Sequence, residues 1–197
     1  MCLDPQKEIE KRRHHLPHWQ QDSTWIFVTF RLGDSLPAAK LTRWREERAI
    51  WTRLHPEPWT ERTENEYHER FSKSIDAWLD AGSGSCLLRD PANAKIVADA
   101  LLHFHDERYE LTSFVVMPNH VHILFSPNDG HPLASIVQSW KGFTARAINR
   151  RLDRKGPLWQ EDYFDRLIRS IEHYHRTDRY IRENPKKLRP GEFILWP

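Results

Sequence analysis

Two histidines separated by one residue have the spacing most suggestive of chemistry in this chain. His120 and His122 lie in the run Phe-Val-Val-Met-Pro-Asn-His-Val-His-Ile-Leu-Phe, residues 114–125. In a strand both imidazoles would project from the same face, and two convergent imidazoles suggest a metal site. The alternative is that the spacing is incidental, as it is for most such pairs. The other histidines considered are not spaced to join this pair and are interpreted as surface residues: His14, His15, His18, His103, His105, His173 and His175.

A tyrosine and an asparagine share one face of a predicted helix near the end of the chain. The pattern predicts a helix that begins after an N-cap at Ser170 and ends before Pro185. Because Asn184 follows Tyr180 by four residues, both side chains can address one site. A helical tyrosine is ordinarily a packing residue, and this alternative applies to Tyr180 considered alone. The helix has two predicted stripes, one apolar (Ile171, Tyr174, Ile181) and one more polar (His173, Thr177, Tyr180, Asn184).

Four motifs occur in a fixed order along the second half of the chain. They are Met-Pro-Asn-His-Val-His-Ile-Leu (117–124), Trp-Lys-Gly-Phe-Thr (140–144), Leu-Trp-Gln-Glu-Asp-Tyr-Phe-Asp-Arg-Leu-Ile-Arg (158–169) and Tyr-Ile-Arg-Glu-Asn-Pro (180–185). The series resembles that of the REP-associated tyrosine transposases, which belong to the single-tyrosine branch of the HUH endonucleases and are IS200-like. The resemblance covers about Thr24 to Leu188, apart from a long insertion.

The resemblance implies a role for each candidate site residue. His120 and His122 match the metal ligands, Tyr180 matches the nucleophile, and Asn184 matches the third ligand. The wider transposase group usually has Gln at this last position, whereas Asn is similar to the REP-associated branch. Two imidazoles and an amide oxygen suit Mg²⁺ or Mn²⁺ without distinguishing between them.

The same resemblance implies a DNA strand-transfer reaction. The ion would polarise a scissile phosphate while Tyr180 attacks, which gives a 5′-phosphotyrosine and a free 3′-hydroxyl. A second 3′-hydroxyl could then reverse the step and join new strands. A phenol has a reference pKa of about 10, so its deprotonation needs help. The metal field, Arg176 and Arg169 are equally open candidates for this help.

Composition is consistent with a DNA-binding protein of the cytoplasm. The chain has 197 residues and only two cysteines, which argues against a disulfide framework, and no run is apolar enough to span a membrane. From Lys141 to Arg189, fourteen Lys or Arg stand against seven Asp or Glu. This net charge of +7 leaves −5 for the rest of a chain of net charge +2. The asymmetry favours a polyanionic partner, although a solvated helix face explains many such runs.

The implied partner is single-stranded DNA that contains hairpins formed by REP-like palindromes. Such proteins bind the backbone with Lys and Arg and stack bases on aromatic rings. The candidate DNA-binding residues are Lys141, Arg146, Trp159, Arg169 and Arg176, and Tyr163 is a second stacking candidate. Most of the tryptophans should be core residues. Both a monomer and a homodimer are compatible with the sequence.

The order of predicted elements indicates an α+β fold. Strands at 25–31, 109–117, 120–125 and 159–169 alternate with helices at 90–106, 133–151 and 170–184, which is typical of a ferredoxin-like sandwich, an antiparallel sheet with helices packed on one face. The resembling family shares this fold. We predict a polar N-terminal arm at 1–22, a single domain at 23–190 with a helical insertion at about 34–85, and a tail at 191–197.

Two other functions remain compatible with the sequence. The same fold could serve a DNA-binding protein that does not cleave and has a regulatory or repeat-maintenance role, but the intact set of site residues argues against this. A metal hydrolase that uses water as its nucleophile would leave Tyr180 without a role.

Overall fold

The computed structural model describes residues 2–3, 10–13, 17–21, 23–56 and 59–197, without the side chains of 10–13, 17–20, 61 and 64. The chain divides into two compact units. One unit comprises Met1–Gly33 and Leu87–Pro197, and the other is Asp34–Cys86. From the sequence, a helical insertion is predicted at about 34–85.

The described part of the first unit contains seven strands. They are β1 (Glu10–Arg13), β2 (Pro17–Gln20), β3 (Ile26–Arg31), β4 (Tyr109–Val116), β5 (His120–Pro127), β6 (Phe164–Leu167) and β7 (Ile194–Trp196). Within the residues that the structure describes, β1 and β2 form a separate two-stranded antiparallel sheet, in the region predicted as an arm. The other five form one sheet in the order β6-β3-β5-β4-β7, and all of its neighbouring strands are antiparallel.

Six α-helices are present in the described residues. They are α1 (Ala38–Leu54), α2 (Glu61–Tyr67), α3 (Lys73–Asp80), α4 (Pro91–Leu102), α5 (Leu133–Arg151) and α6 (Ile171–Glu183). The succession β3-α4-β4-β5-α5-β6, with sheet order β6-β3-β5-β4, confirms the predicted ferredoxin-like arrangement. Within the described part of the chain, none of these helices combines the length and apolar character needed to cross a membrane.

The two faces of the sheet carry different layers. On one face, Val28 and Ile123 belong to the main hydrophobic cluster, which also contains core residues of α4 and α5. On the other face, Phe27 and Leu124 pack in a second cluster with Ile181 of α6. Because strand side chains alternate, α6 lies on the opposite face from α4 and α5. The prediction that the helices pack on one face therefore holds for α4 and α5 but not for α6.

The apolar stripe predicted for α6 is only partly correct. Ile181 is buried, but Ile171 is 48% exposed, whereas His173 and Thr177 are buried. The helix therefore turns its predicted polar stripe, together with Ile181, toward the sheet. The short apolar series did not reveal this orientation, because the partner surface, not hydrophobicity alone, decides which face is buried.

Several element bounds differ from the predictions. The strand predicted at 159–169 is limited to β6, since Trp159 forms only an isolated bridge with Leu32. The helix predicted at 90–106 ends at Leu102, and Asp106 has a φ of 67° that no α-helix accommodates. The predicted tail contains β7, whose Trp196 stacks on Phe114. A strand of three residues is too short for a periodic signal.

A tight turn at Met117–Asn119 connects β4 to β5 and sets the position of the histidines. The backbone N–H of Met117 donates to the carbonyl of His120. The turn carbonyls of Pro118 and Asn119 accept from Leu88 and Leu32, respectively. The first histidine of the pair therefore stands at a fixed hairpin end.

The unit Asp34–Cys86 has its own aromatic core. Trp51, Tyr67 and Phe71 are its buried members. Its two ends are tied together, since the Asp34 carboxylate accepts from the backbone N–H of Ser85. Gly84 has a φ of 87°, and a Cβ there would overlap the backbone of Asp34, so only glycine fits this closure.

Candidate metal and tyrosine site

His120 and His122 converge on one point of the sheet surface. Both belong to β5, and both are buried, with 1% and 0% exposure. Their Nε2 atoms are 3.0 Å apart, and their ring planes are inclined by 74°. The two imidazoles therefore do project to the same side, as the alternation of a strand requires.

Each imidazole is held through its other ring nitrogen. His120 Nδ1 lies 2.7 Å from Asn119 Oδ1, and His122 Nδ1 lies 2.7 Å from Thr29 Oγ1. Because an amide oxygen only accepts, His120 carries its proton on Nδ1 and presents a lone pair on Nε2. Thr29 stands directly opposite His122 in the β3–β5 register. Such outer partners orient histidine ligands in metalloproteins.

Burial keeps both imidazoles uncharged at neutral pH. Desolvation lowers the pKa of His120 from 6.5 to about 3. The pKa of His122 is also well below 6.5, mainly through desolvation and secondarily through the charge that His120 would carry. A neutral imidazole is the form that binds a metal ion, so the pair is in the ligand state.

The pair fits a metal ion sterically and electronically. The two Nε2 atoms are 3.0 Å apart, close enough for one cation to contact both, and neither imidazole carries a charge that would repel it. In the metal-free pair, Thr29 can donate to His122 Nδ1 while His122 Nε2 donates to His120. To hold a cation, His122 would carry its proton on Nδ1 and donate to Thr29 Oγ1, which would leave its Nε2 lone pair available.

Tyr180 reaches the histidine pair from α6. Its Oη lies 3.4 Å from His122 Nε2, and the two ring centroids are 5.3 Å apart. Phe27 packs against both rings, stacked on His122 and edge-to-face with Tyr180. Tyr180 and the two histidines of the same chain therefore lie at one site.

Asn184 supplies a buried side-chain oxygen at the end of α6. It follows the last residue of α6 and begins a 3₁₀ turn, Asn184–Lys187. Its Oδ1 has no hydrogen-bond partner among the described residues. An unpaired buried oxygen costs free energy unless something binds it, and an amide oxygen is a suitable ligand for Mg²⁺ or Mn²⁺. Within the described residues, no group of three or more His, Cys, Asp or Glu could hold a metal ion, so a third ligand for the pair would have to be of another type.

The start of α6 is fixed by its first turn. The hydroxyl of Ser170 accepts from the backbone N–H of His173, as predicted for an N-cap. His173 Nδ1 in turn accepts from the backbone N–H of Arg169. The interpretation of His173 as a surface residue is wrong, because it is 7% exposed and caps the chain just before the helix.

The predicted DNA-binding cations lie in different environments. Arg146, Arg169 and Arg176 are exposed, and Arg176 precedes Tyr180 by one helical turn. Lys141 is half-buried and donates to the carbonyl of Glu161 at 2.6 Å. Desolvation lowers the pKa of Lys141 from 10.5 to about 8, although Asp162 and Glu161 oppose the shift.

Trp159 does not lie where base stacking requires it. Its ring is 6% exposed and meets Phe30 edge-to-face. Its indole N–H donates to the hydroxyl of buried Thr144 at 2.9 Å. Trp159 is therefore a core residue, and the amphipathic sequence around it did not reveal this. Tyr163, the second stacking candidate, is half-buried.

Sequence reasoning missed three residues that shape the site. Asn119 orients His120, Thr29 orients His122, and Phe27 packs against His122 and Tyr180. Asn119 could have been found, because it directly precedes the pair in the turn. Thr29 and Phe27 depend on the register of β3 against β5, for which the sequence has no local signal.

Comparisons with known proteins give a family for this part of the chain. Residues 96–184 match the family profile described as Transposase IS200 like. One similar solved structure is a REP-associated tyrosine transposase bound to a REP hairpin, with 16% identity, coverage of 90% of this chain and 73% of that chain, and a TM-score of 0.47. Another is a protein of Deinococcus radiodurans R1 described as a transposase, with 14% identity, coverage of 81% and 89%, and a TM-score of 0.34. The curated proteins include no match to the chain.

The matched segment contains both histidines of the pair, Tyr180 and Asn184. It also spans β5, which carries the two histidines, and α6, which carries Tyr180. Residues 96–184 are therefore similar to the IS200-like transposase family.

Proposed function

We propose that this protein is a metal-dependent tyrosine transposase that cleaves and rejoins single-stranded DNA at hairpin-forming repeats. The observation that carries this proposal is the approach of Tyr180 Oη to 3.4 Å from His122 Nε2, beside a second neutral imidazole. A phenol that lies beside two candidate metal-binding histidines is better explained as a nucleophile than as a packing residue alone. A water-using hydrolase would leave this tyrosine without a role.

In the proposed step, Tyr180 forms the covalent intermediate. Its Oη attacks the scissile phosphorus, an O–P bond to tyrosine forms, and the bond from phosphorus to the 3′-oxygen breaks. The phenolic proton leaves Tyr180, and the departing 3′-oxygen takes up a proton to become a hydroxyl. The 5′-phosphotyrosine keeps the phosphodiester energy, so a different 3′-hydroxyl can reverse the step and join two strands.

His120, His122 and Asn184 would hold Mg²⁺ or Mn²⁺. The ion, when bound, supplies a Lewis acid that polarises the scissile phosphate. Asn119 and Thr29 keep the imidazole lone pairs directed to one point, and the second cluster around Phe27 excludes water from the back of the site. Three neutral ligands leave the charge of the ion available for a phosphate.

The proposed substrate is hairpin DNA with a single-stranded flank. This proposal rests on the motif series and the family match of residues 96–184. Arg169 lies just before α6 and Arg176 lies within it, and both guanidinium groups are exposed. They would contact phosphates on the Tyr180 side of the sheet.

The test is formation of a covalent protein–DNA adduct. Purified protein is incubated with Mn²⁺ or Mg²⁺ and labelled hairpin oligonucleotides taken from repeats that flank its own gene, and denaturing gels are scored for a shifted band. We expect an adduct that requires metal and is lost in Tyr180→Phe, while hairpin binding persists. His120→Ala should remove metal-dependent cleavage.

Matched variants identify the nucleophile. Tyr174→Phe and Tyr163→Phe remove phenols that are not at the histidine pair and should leave the adduct intact. An adduct that persists in Tyr180→Phe would show that Tyr180 is misassigned. Tight binding without an adduct, with both metals and several hairpins, would instead support a DNA-binding protein that does not cleave.

A further inference from the structure

Helix α5 exposes an aromatic ring beside two arginines. Phe143 is 53% exposed, and Arg146 and Arg150 are exposed on the same side of the helix, at three and seven residues after it. α5 belongs to the layer opposite the histidine pair, because its buried residues join the main hydrophobic cluster. This exposed side, defined by Phe143, Arg146 and Arg150, is called the α5 face below.

The α5 face has an unopposed positive charge. The chain contains no Asp or Glu from Gly130 to Leu152, so the helix itself carries only cations. Arg151 is neutralised through Asp90, which it contacts at 2.8 Å. Neither Arg146 nor Arg150 has a hydrogen-bond or ionic partner among the described residues. These two guanidinium groups are therefore available to an anion.

The motif Trp-Lys-Gly-Phe-Thr divides between the core and this face. Trp140 and Thr144 are buried, but Gly142 and Phe143 contribute nothing to the core. Glycine inside a helix lowers its stability, so Gly142 is not explained by helix formation. A Cβ at Gly142 would lie 3.4 Å from a terminal nitrogen of Arg146. The Arg146 side chain therefore lies back along the helix toward Gly142.

A flat ring flanked by arginines suits a nucleic-acid strand. Proteins bind single strands by stacking bases on aromatic rings and by pairing phosphates with cations. A second copy of this chain is a poorer occupant, because an isologous contact through this face would bring like charges together. We propose that the α5 face binds the substrate DNA away from the cleavage site, with an unpaired base on Phe143 and phosphates on Arg146 and Arg150. This inference rests on the proposed function, which makes DNA the substrate.

The test measures affinity for a labelled hairpin oligonucleotide with a single-stranded flank, by fluorescence anisotropy at several salt concentrations. EDTA is present throughout, so that binding is measured without cleavage. Arg146→Ala/Arg150→Ala should weaken binding about tenfold and reduce the slope of log K against log salt by about 1.4, at about 0.7 per phosphate contact to a single strand. Phe143→Ala and Phe143→Leu should each weaken binding about tenfold without changing that slope, because leucine lacks a ring for stacking.

The matched control is Lys95→Ala, which removes an exposed cation on α4 that pairs with Asp99. It should bind DNA like the wild type. Equal affinity and slope for all variants would overturn the inference. The inference would also be overturned if the α5-face variants formed a smaller assembly in light scattering and kept their DNA affinity. The α5 face would then join two copies of the chain.

Parallel adduct assays separate this inference from the proposed function. An adduct in the wild type, together with unchanged affinity in the α5-face variants, overturns the α5 face alone. Weakened affinity in those variants, with no adduct in any protein, supports DNA binding by the face and overturns the nuclease. Circular dichroism checks that the variants fold, which is expected for exposed positions.

Discussion

At the residue scale, the candidate site depends on hydrogen bonds behind the imidazoles. Asn119 and Thr29 each fix one ring by its Nδ1, so the two Nε2 atoms meet at 3.0 Å. These partners do not face the substrate. Asn119 fixes the tautomer of His120, and Thr29 fixes the orientation of the His122 ring, both of which a metal ligand requires.

Thr29→Val should weaken Mn²⁺ binding about tenfold, because valine keeps the shape of threonine but cannot hydrogen-bond His122. Isothermal titration calorimetry measures the affinity. Thr29→Ser retains the hydroxyl and serves as the control, with affinity near that of the wild type. Wild-type affinity in Thr29→Val would show that the hydroxyl does not orient a ligand.

Asn184→Leu should separate stability from metal binding. Leucine removes a buried oxygen that has no partner among the described residues, so the free energy of unfolding of the metal-free protein should stay equal or rise, by up to about 1–3 kcal/mol. Mn²⁺ affinity should fall. Urea unfolding and calorimetry measure the two quantities. A loss of stability with unchanged Mn²⁺ affinity would make Asn184 a structural residue.

At the element scale, α5 and α6 serve opposite faces of the sheet. Helix α6 brings Tyr180 to the histidines, and its start is fixed by the Ser170 cap. Helix α5 is anchored through a buried polar chain in which Trp159 donates to Thr144 and Thr144 donates to the carbonyl of Trp140. Trp140 also donates to the hydroxyl of Tyr109, which ties α5 to β4.

Thr144→Val should lower the free energy of unfolding by about 1–3 kcal/mol, because the indole N–H of Trp159 would be buried without an acceptor. Urea unfolding monitored by tryptophan fluorescence measures this change. Thr144→Ser keeps the acceptor and should lose less, only the contribution of a methyl group. Equal losses in the two variants would indicate that packing, not the hydrogen bond, stabilises this position.

At the scale of the whole molecule, the unit Asp34–Cys86 is inserted at a defined place. Leu32 and Leu88 flank it, and their backbone N–H groups donate to the consecutive carbonyls of Asn119 and Pro118. The two points at which the chain leaves and re-enters the first unit are therefore close together. Insertions at such points are compatible with independent folding of both parts.

Deletion of residues 34–86, with a linker of about four Gly and Ser residues spanning up to about 13 Å, should leave a folded protein. The first unit retains its sheet and its hydrophobic clusters, and Asp34–Cys86 has a separate aromatic core. Circular dichroism and a cooperative thermal transition test folding, and calorimetry tests Mn²⁺ binding. An unfolded product would show that the first unit depends on the insertion. The contribution of Asp34–Cys86 to DNA affinity can then be measured by comparison with the full chain.

The sequence by itself determined the order of the four strands and three helices β3, α4, β4, β5, α5, β6 and α6, because local periodicity, the cap at Ser170 and the strand alternation of His120 and His122 are properties of neighbouring residues. The motif series also resembles that of the transposase family. Only the tertiary structure decided that α6 lies on the histidine side of the sheet, that Thr29 and Phe27 contact His122, and that Trp159 is buried while Phe143 is exposed. These facts depend on strand register and on which face of a helix meets the sheet. Contacts between residues far apart in the chain set both, so no local pattern encodes them.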